Sequence, residues 1–308
     1  MKECNATTKA NTLLNLNRLK ELRISDLEDI RKSRVLVLAA SMLDMQILPT
    51  LYNTLLNVGH CPKLDVVLYG KGGEINAARR IALLLHEFTD QLTFFVPHHC
   101  ESAFTLLSLS GHSIVGGILS MFSPIDPGLS TYDNANTDQP DKLESEDIRL
   151  FCEMAENWFD VNNPDVKVNL LSAISSSIFP STLTSLYRSN KEVTAIANEL
   201  LQFQLYDHHE EVRNRIVNSL VSGYHSHAYS LTAANLKALG INISTDEATQ
   251  SNVWSIAQVI DSLLGGGARA SMQDPRNDVI LATKERAVVR QNFPDSIMPC
   301  WTSIETNK

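Results

Sequence analysis

From residue 34 onward, short apolar runs rich in branched side chains alternate with segments of helical periodicity. Arg34-Val-Leu-Val-Leu-Ala-Ala40, Leu64-Asp-Val-Val-Leu-Tyr69, Leu92-Thr-Phe-Phe-Val96 and Ser113-Ile-Val115 have the composition of buried strands. Between them, Leu43 to Val58 and Ile75 to Phe88 read as helices. In the second, Ala78, Ile81, Ala82 and Leu85 form one apolar face. A third helix begins at Ala103. Repeated β–α units at this spacing predict an α/β fold with a mainly parallel sheet, since parallel neighbours need a crossover between them.

The flanking regions differ in character. Residues 1–33, with Leu13, Leu14, Leu16, Leu19 and Leu22, predict an N-terminal helical arm that packs on a partner. Residues 34–144 form the expected β–α core and end in a polar loop. Residues 145–274 are mainly helical and complete the same domain. Segments Pro180 to Phe203 and His209 to Val221 read as helices, Gly240 to Ser244 includes a brief strand, and Gly265-Gly-Gly267 breaks the last helix. The charged stretch 275–308 is expected to be a loosely ordered tail.

Composition excludes several function classes. A net charge of −9 with no basic cluster argues against nucleic acid as the main partner. No apolar run approaches the length of a membrane span, and the first residues lack the apolar core of a signal peptide, so a cytoplasmic protein without membrane contact is expected. Cys4, Cys61, Cys100, Cys152 and Cys300 show no paired spacing and read as reduced thiols. His208-His209-Glu210 has no histidine at i+4, so neither a metal nor any other cofactor is expected.

Candidate chemistry gathers around Ser102, where a strand pattern gives way to a helical one. Serine becomes a nucleophile only with a base to take its proton and donors to stabilise an oxyanion. The Gly72-Gly73 pair upstream can offer backbone N–H groups. Both features have plainer readings. Serine is a preferred helix cap, and glycines after a strand permit a tight turn. Cys100 is a rival nucleophile or a buried thiol. Asp126 lies between two prolines in a rigid turn.

Leu68-Tyr-Gly-Lys-Gly-Gly-Glu-Ile-Asn-Ala-Ala-Arg-Arg-Ile81, Phe95-Val-Pro97, Ser102-Ala-Phe-Thr-Leu-Leu-Ser-Leu109 and Ser123-Pro-Ile-Asp-Pro127 resemble, in order, the serine-protease family named serine dehydrogenase proteinase. That family is similar to signal peptide peptidase A and, more distantly, to the Clp protease subunit. The likeness continues through Ile178-Phe-Pro-Ser181 and Gly223-Tyr-His-Ser-His-Ala-Tyr-Ser-Leu-Thr232, and so covers about residues 34–245. It implies a Clp/crotonase-like spiral of β–α units and a serine endopeptidase with Ser102 as nucleophile. Gly72, Gly73 and the Ala103 N–H would form the oxyanion hole. The stretch before the glycines would pair with an extended polypeptide substrate, and like subunits would assemble into a homo-oligomer.

The same resemblance implies a Ser–Lys dyad, and Lys142 stands forty residues after Ser102. A lysine acts as a base where desolvation lowers its pKa. His227, in Tyr224-His-Ser-His-Ala-Tyr229, is the alternative base, with His225 a third. His98 and His99 border the cleft, and His112 lies too far along the helix to serve. Two departures from the family pattern, Ala103-Phe104 after the serine and Tyr69-Gly-Lys71 before the glycine pair, favour a second function: a catalytically weak relative acting as a binding or assembly module. Acyl-thioester chemistry is a third option, for which no adenine-nucleotide pocket is identifiable.

Overall fold

A computed structural model describes residues 17–125, 145–159, 164–206, 210–264, 275–293, 296 and 298–306. The predicted strands form β1 (Arg34–Ala40), β2 (Cys61–Gly70), β3 (Thr89–Val96) and β5 (Ser113–Gly116). Two-residue strands β4 (His99–Cys100), β6 (Met121–Phe122) and β7 (Ile243–Ser244) join them, as do β8 (Arg276–Ala282), β9 (Arg286–Asn292) and β10 (Cys300–Glu305). The sheet runs β10-β9-β8-β1-β2-β3-β5-β7, with β4 bridging β2 and β6. Pairing is parallel from β1 to β7 and antiparallel from β1 out to β10. The fold is therefore α/β with a mostly parallel sheet.

Because strand side chains alternate in direction, each face of the sheet builds its own core. Leu36, Leu38, Leu64, Val66, Leu68, Leu92, Phe94 and Ile114 point to one face. There they meet α2 (Ile47–Val58), α3 (Ile75–His86), α4 (Ala103–Ser108), α7 (Pro180–Leu201) and α8 (Glu210–Ser222). In α2, Ile47, Leu51 and Leu55 recur every fourth residue and are buried; Gly59 ends the helix at φ 74°, its N–H donating to the Leu55 carbonyl. Val35, Val37, Ala39, Val67 and Phe95 point the other way, toward α1 (Ile24–Arg31) and α10 (Glu247–Leu263). The remaining helices are α5 (Ser145–Phe159), α6 (Pro164–Ser177) and α9 (Ala233–Leu239).

Two expectations about the ends of the chain are corrected. The described part of the N-terminal segment is no arm. Leu19, Leu22, Ile24 and Leu27 are buried in this chain's own second core, and Arg31 Nε pairs with the buried Asp65 carboxylate at 3.0 Å. Nor are the described residues of 275–308 a loose tail. Residues 276–305 supply three strands, and Val279, Ile280, Leu281, Ala282, Ala287 and Val289 are fully buried. Antiparallel pairing of β8 with β1 closes an edge that would otherwise leave the β1 backbone unpaired.

Candidate active site

The C-terminal ends of β1, β2 and β4 bring the candidate residues together. Gly70, the last residue of β2, pairs with Cys100, and its carbonyl accepts from the Glu101 N–H at 3.1 Å; past Cys100 β4 stops and α4 starts. Ser102 makes the corner with φ 51° and ψ −114°. Besides Ser102, only Lys32 has a positive φ among the described non-glycine residues. Backbone here costs an L-residue about 1–3 kcal/mol and persists only where its surroundings enforce it. They do. The Ser102 N–H donates to Ser123 Oγ at 2.7 Å, Thr105 Oγ1 donates to the Cys100 carbonyl at 2.7 Å, and the Ser123 N–H donates to Thr105 Oγ1 at 3.2 Å.

Ser102 occupies the cap position of α4, yet its side chain makes no capping hydrogen bond. The plain helix-cap reading is thereby removed. Gly72 lies directly against it: a Cβ on Gly72 would fall 3.5 Å from Ser102 Cβ and 3.8 Å from Ser102 Oγ. Gly72 and Gly73 take φ values of 149° and 138°. At Gly73 a Cβ would fall 2.2 Å from the Leu43 nitrogen, so only glycine fits. The Gly72 carbonyl accepts from the Leu43 N–H, and the Glu74 N–H donates to the Leu43 carbonyl, both at 2.8 Å. The Gly72 and Gly73 N–H groups donate to no acceptor among the described residues. Ala103, as first residue of α4, has no intrahelical acceptor for its own N–H.

Both departures from the family pattern find a packing reason. Phe104 is fully buried, and a Cβ on Gly70 would fall 2.1 Å from its ring, so the ring packs against the end of β2. Tyr69 is buried, and its hydroxyl donates to Asp261 Oδ1 at 2.7 Å. Burial and that carboxylate push the phenol pKa up. One implied feature needs correction. The stretch before the glycines is an interior strand, paired with β1 through Gly70 and with β3 and β4 on its other edge. An added peptide strand would have to use the turn itself, from Lys71 onward.

Among the rival groups, Cys100 is fully buried, and burial pushes its thiol pKa up, away from a nucleophilic thiolate. His99 Nδ1 pairs with Glu101, and the His98 ring lies 4.0 Å from His99 and 6.1 Å from Trp254. Burial, with His99 beside it, pushes the His98 pKa down. His112 Nδ1 accepts from the Leu92 N–H at 3.0 Å, a structural role. Lys142 and Asp126 lie outside the described residues, as do His208 and His209.

His227 sits in the turn before Leu231, which exchanges two 2.8 Å backbone bonds with Phe122, next to Ser123. Its Nδ1 is enclosed and has no hydrogen-bond partner, and no hydrogen bond joins the His227 ring to Ser102 among the described residues. His225 is turned toward Arg149, 3.2 Å away, and Glu146. Among the described residues, Ser102, Gly72, Gly73 and Ala103 come together without a base joined to them.

Sequence reasoning missed Ser123 and Thr105, the two hydroxyls that lock the corner. Ser123 was visible inside the Ser123–Pro127 motif, but nothing in its spacing signals a bond to the Ser102 backbone. A cavity of about 730 Å³ lies beyond the ends of β3 and β5, lined by Val96, Pro97, Ile118, Leu119, Thr249 and Trp254 among others; Ser102 and the glycine turn do not line it. Among the described residues no cluster of histidine, cysteine or acidic side chains is arranged to hold a metal, and no helix is long and apolar enough to cross a membrane.

No protein-family model matches this chain. Over 183 residues it is 25% identical to an uncharacterized protein of Methanocaldococcus jannaschii, a match that takes in 59% of this chain and 52% of the relative. The chain thus spans about half the length of the curated relative it matches. Among solved structures, a mutant form of the membrane-bound stomatin-specific protease 1510-N gives a TM-score of 0.43 at 12% identity, covering 72% of this chain and 84% of that one. At that similarity neither protein assigns an activity to this chain.

Proposed function

We propose that this chain is a serine peptidase of the Clp/crotonase-like superfamily, acting on extended polypeptide through an acyl-enzyme on Ser102. The observation that carries the reading is the strained Ser102 corner: φ 51°, a side chain that caps nothing, and Gly72 against its Cβ. Support for the spiral comes from the sequential order β1-β2-β3-β5, with α2, α3 and α4 all on one face of the sheet.

In this mechanism Ser102 Oγ bonds to the scissile carbonyl carbon while its proton passes to the base. Gly72, Gly73 and Ala103 N–H groups receive the oxyanion. The C–N bond then breaks, the leaving amine takes the proton, and water hydrolyses the ester to restore Ser102. Lys142 is the proposed base on the strength of the family resemblance, with His227 the alternative on the strength of its enclosed, unpartnered Nδ1. Assembly of like subunits belongs to the same proposal, because Trp158, Phe159, Leu171 and Phe179 are exposed on or beside helices α5 to α7.

Labelling with a fluorophosphonate probe tests the reading. Wild-type protein is expected to label and Ser102→Ala to lose the label while keeping its circular dichroism. Undiminished labelling of Ser102→Ala would exclude Ser102. Of Lys142→Ala and His227→Ala, the one that loses at least about 100-fold in rate identifies the base. A second reading, a catalytically weak binding module, is favoured by the near-complete burial of Ser102, which is only 7% exposed. Absence of labelling in correctly folded wild-type protein selects it.

A further inference from the structure

We infer that Arg290, on the C-terminal strand β9, is a positioning residue for the Gly72–Gly73 turn. The inference rests on the reading that Ser102 reacts beside that turn. Arg290 is a buried guanidinium held between two carboxylates. Its Nη1 and Nη2 donate to Asp44 at 2.9 and 2.6 Å, and its Nε and Nη2 donate to Asp278 at 2.8 and 3.0 Å. Asn292 Nδ2 adds a 2.5 Å bond to Asp278. A planar fork can hold two carboxylates in fixed directions, which a flexible ammonium cannot.

Asp44 belongs to the loop after β1, and this loop meets the glycine turn. Its first residue is tied to the same strand pair, since the Ser41 N–H donates to the Asp278 carbonyl at 2.8 Å. Asp44 Oδ1 also accepts from the Gln46 N–H at 2.9 Å, closing the loop on itself. Between these ties lies Leu43, whose N–H and carbonyl hold Gly72 and Glu74 at 2.8 Å each. Contact is tight enough at Gly73 to exclude a methyl group. The Leu43 backbone therefore sets the peptide planes on both sides of Gly73, and with them the direction of the Gly73 N–H, one of the proposed oxyanion donors. A continuous path runs from Arg290 through Asp44 and Leu43 to Gly72, and from Gly72 to Ser102.

A misplacement of about 1 Å in such a site costs on the order of 100-fold in rate, so loosening the loop has a kinetic signature apart from its effect on stability. The test uses the full chain as wild type, Arg290→Met and Arg290→Lys. Arg34→Met is the control, since Arg34 pairs with Glu285 at the opposite end of β1. Two quantities are read: amide hydrogen exchange at Leu43 and Glu74, and the fluorophosphonate labelling rate of folded protein, split into maximal rate and half-saturating concentration.

Arg290→Met is expected to speed exchange at Leu43 and Glu74 at least about tenfold more than at Val66, and to lower the maximal labelling rate about 10–100-fold with the half-saturating concentration little changed. Arg290→Lys should fall between, and Arg34→Met should leave the labelling rate as in wild type. Equal exchange changes at Leu43 and Val66 overturn the inference, as does equal slowing by Arg34→Met. Should Arg290→Met fail to fold, Asp44→Ala severs the same tie while leaving Arg290 paired with Asp278. If wild-type protein takes no label, the peptidase reading fails, and the exchange measurement alone still decides whether Arg290 holds the turn.

Discussion

Ser102 is the residue at which backbone strain and proposed chemistry coincide. Its φ of 51° is enforced by bonds to Ser123 and by Thr105, and relaxing it has a predictable sign. Glycine occupies this region without steric cost but loses about 0.5–1 kcal/mol more chain entropy on folding. Against strain of about 1–3 kcal/mol, Ser102→Gly should stabilise the protein by about 1 kcal/mol, while Ser102→Ala, which keeps the Cβ, should change little. Urea midpoints of the three proteins decide it: a glycine variant no more stable than the alanine variant would show that the strain does not exceed the entropy cost of glycine, about 0.5–1 kcal/mol. A residue whose loss increases stability is one kept for a reason other than folding. Its position was legible from the strand-to-helix change at residue 102; its conformation was not, because the enforcing hydroxyl of Ser123 is twenty-one residues away.

At the level of elements, the alternating units between residues 34 and 116 were readable because branched apolar runs and helical periodicity are local signals. β1 spans the predicted residues, and the helix predicted from Leu43 begins at Ile47 because Leu43 pairs with Gly73 instead. The C-terminal strands escaped notice for a physical reason. Arg276, Asp278, Arg286 and Arg290 make the segment look solvated, whereas Arg290 is buried against Asp44, 246 residues away. The apolar runs Val279-Ile-Leu-Ala282 and Ala287-Val-Val289 on either side of Thr283-Lys-Glu-Arg286 were the available hairpin signal.

A second junction between elements makes stability depend on pH. His86, at the end of α3, stacks on Phe203 with ring centres 3.6 Å apart, lies 5.4 Å from the His112 ring, and has Nε2 2.8 Å from the Ser110 carbonyl. Burial pushes its pKa down to about 4. The unfolded chain, with an ordinary histidine pKa, then binds the proton more readily than the folded one between about pH 6.5 and 4. Stability is therefore lost as pH falls through that window. Between pH 7 and 5 this residue should account for about 2 kcal/mol, so wild type should lose more stability than His86→Gln over that interval. Equal losses in urea midpoint would refute it.

For the molecule as a whole, the C-terminal strands are as much part of the fold as the β–α core. Strand β8 places Val279 and Leu281 in one core and Ile280 and Ala282 in the other, and β9 adds Ala287 and Val289 to the second. Burying one large aliphatic side chain contributes about 1.5–3 kcal/mol. The four of that size here therefore represent about 6–12 kcal/mol, comparable with the whole net stability of a domain, about 5–15 kcal/mol. Removing them uncovers matching surface on β1 and α10 and leaves Val37 to Ala40 unpaired along the sheet edge. A chain ended at Asp274 should therefore fail to unfold cooperatively, bind a hydrophobic dye and aggregate, rather than survive as a weaker enzyme. A truncated protein with a sharp thermal transition near the wild-type midpoint would mean that residues 34–264 fold alone. The ties from Ser41 and Asp44 to Asp278 and Arg290 argue for the opposite result, since they join the loop beside the glycine turn to the same strands that complete both cores.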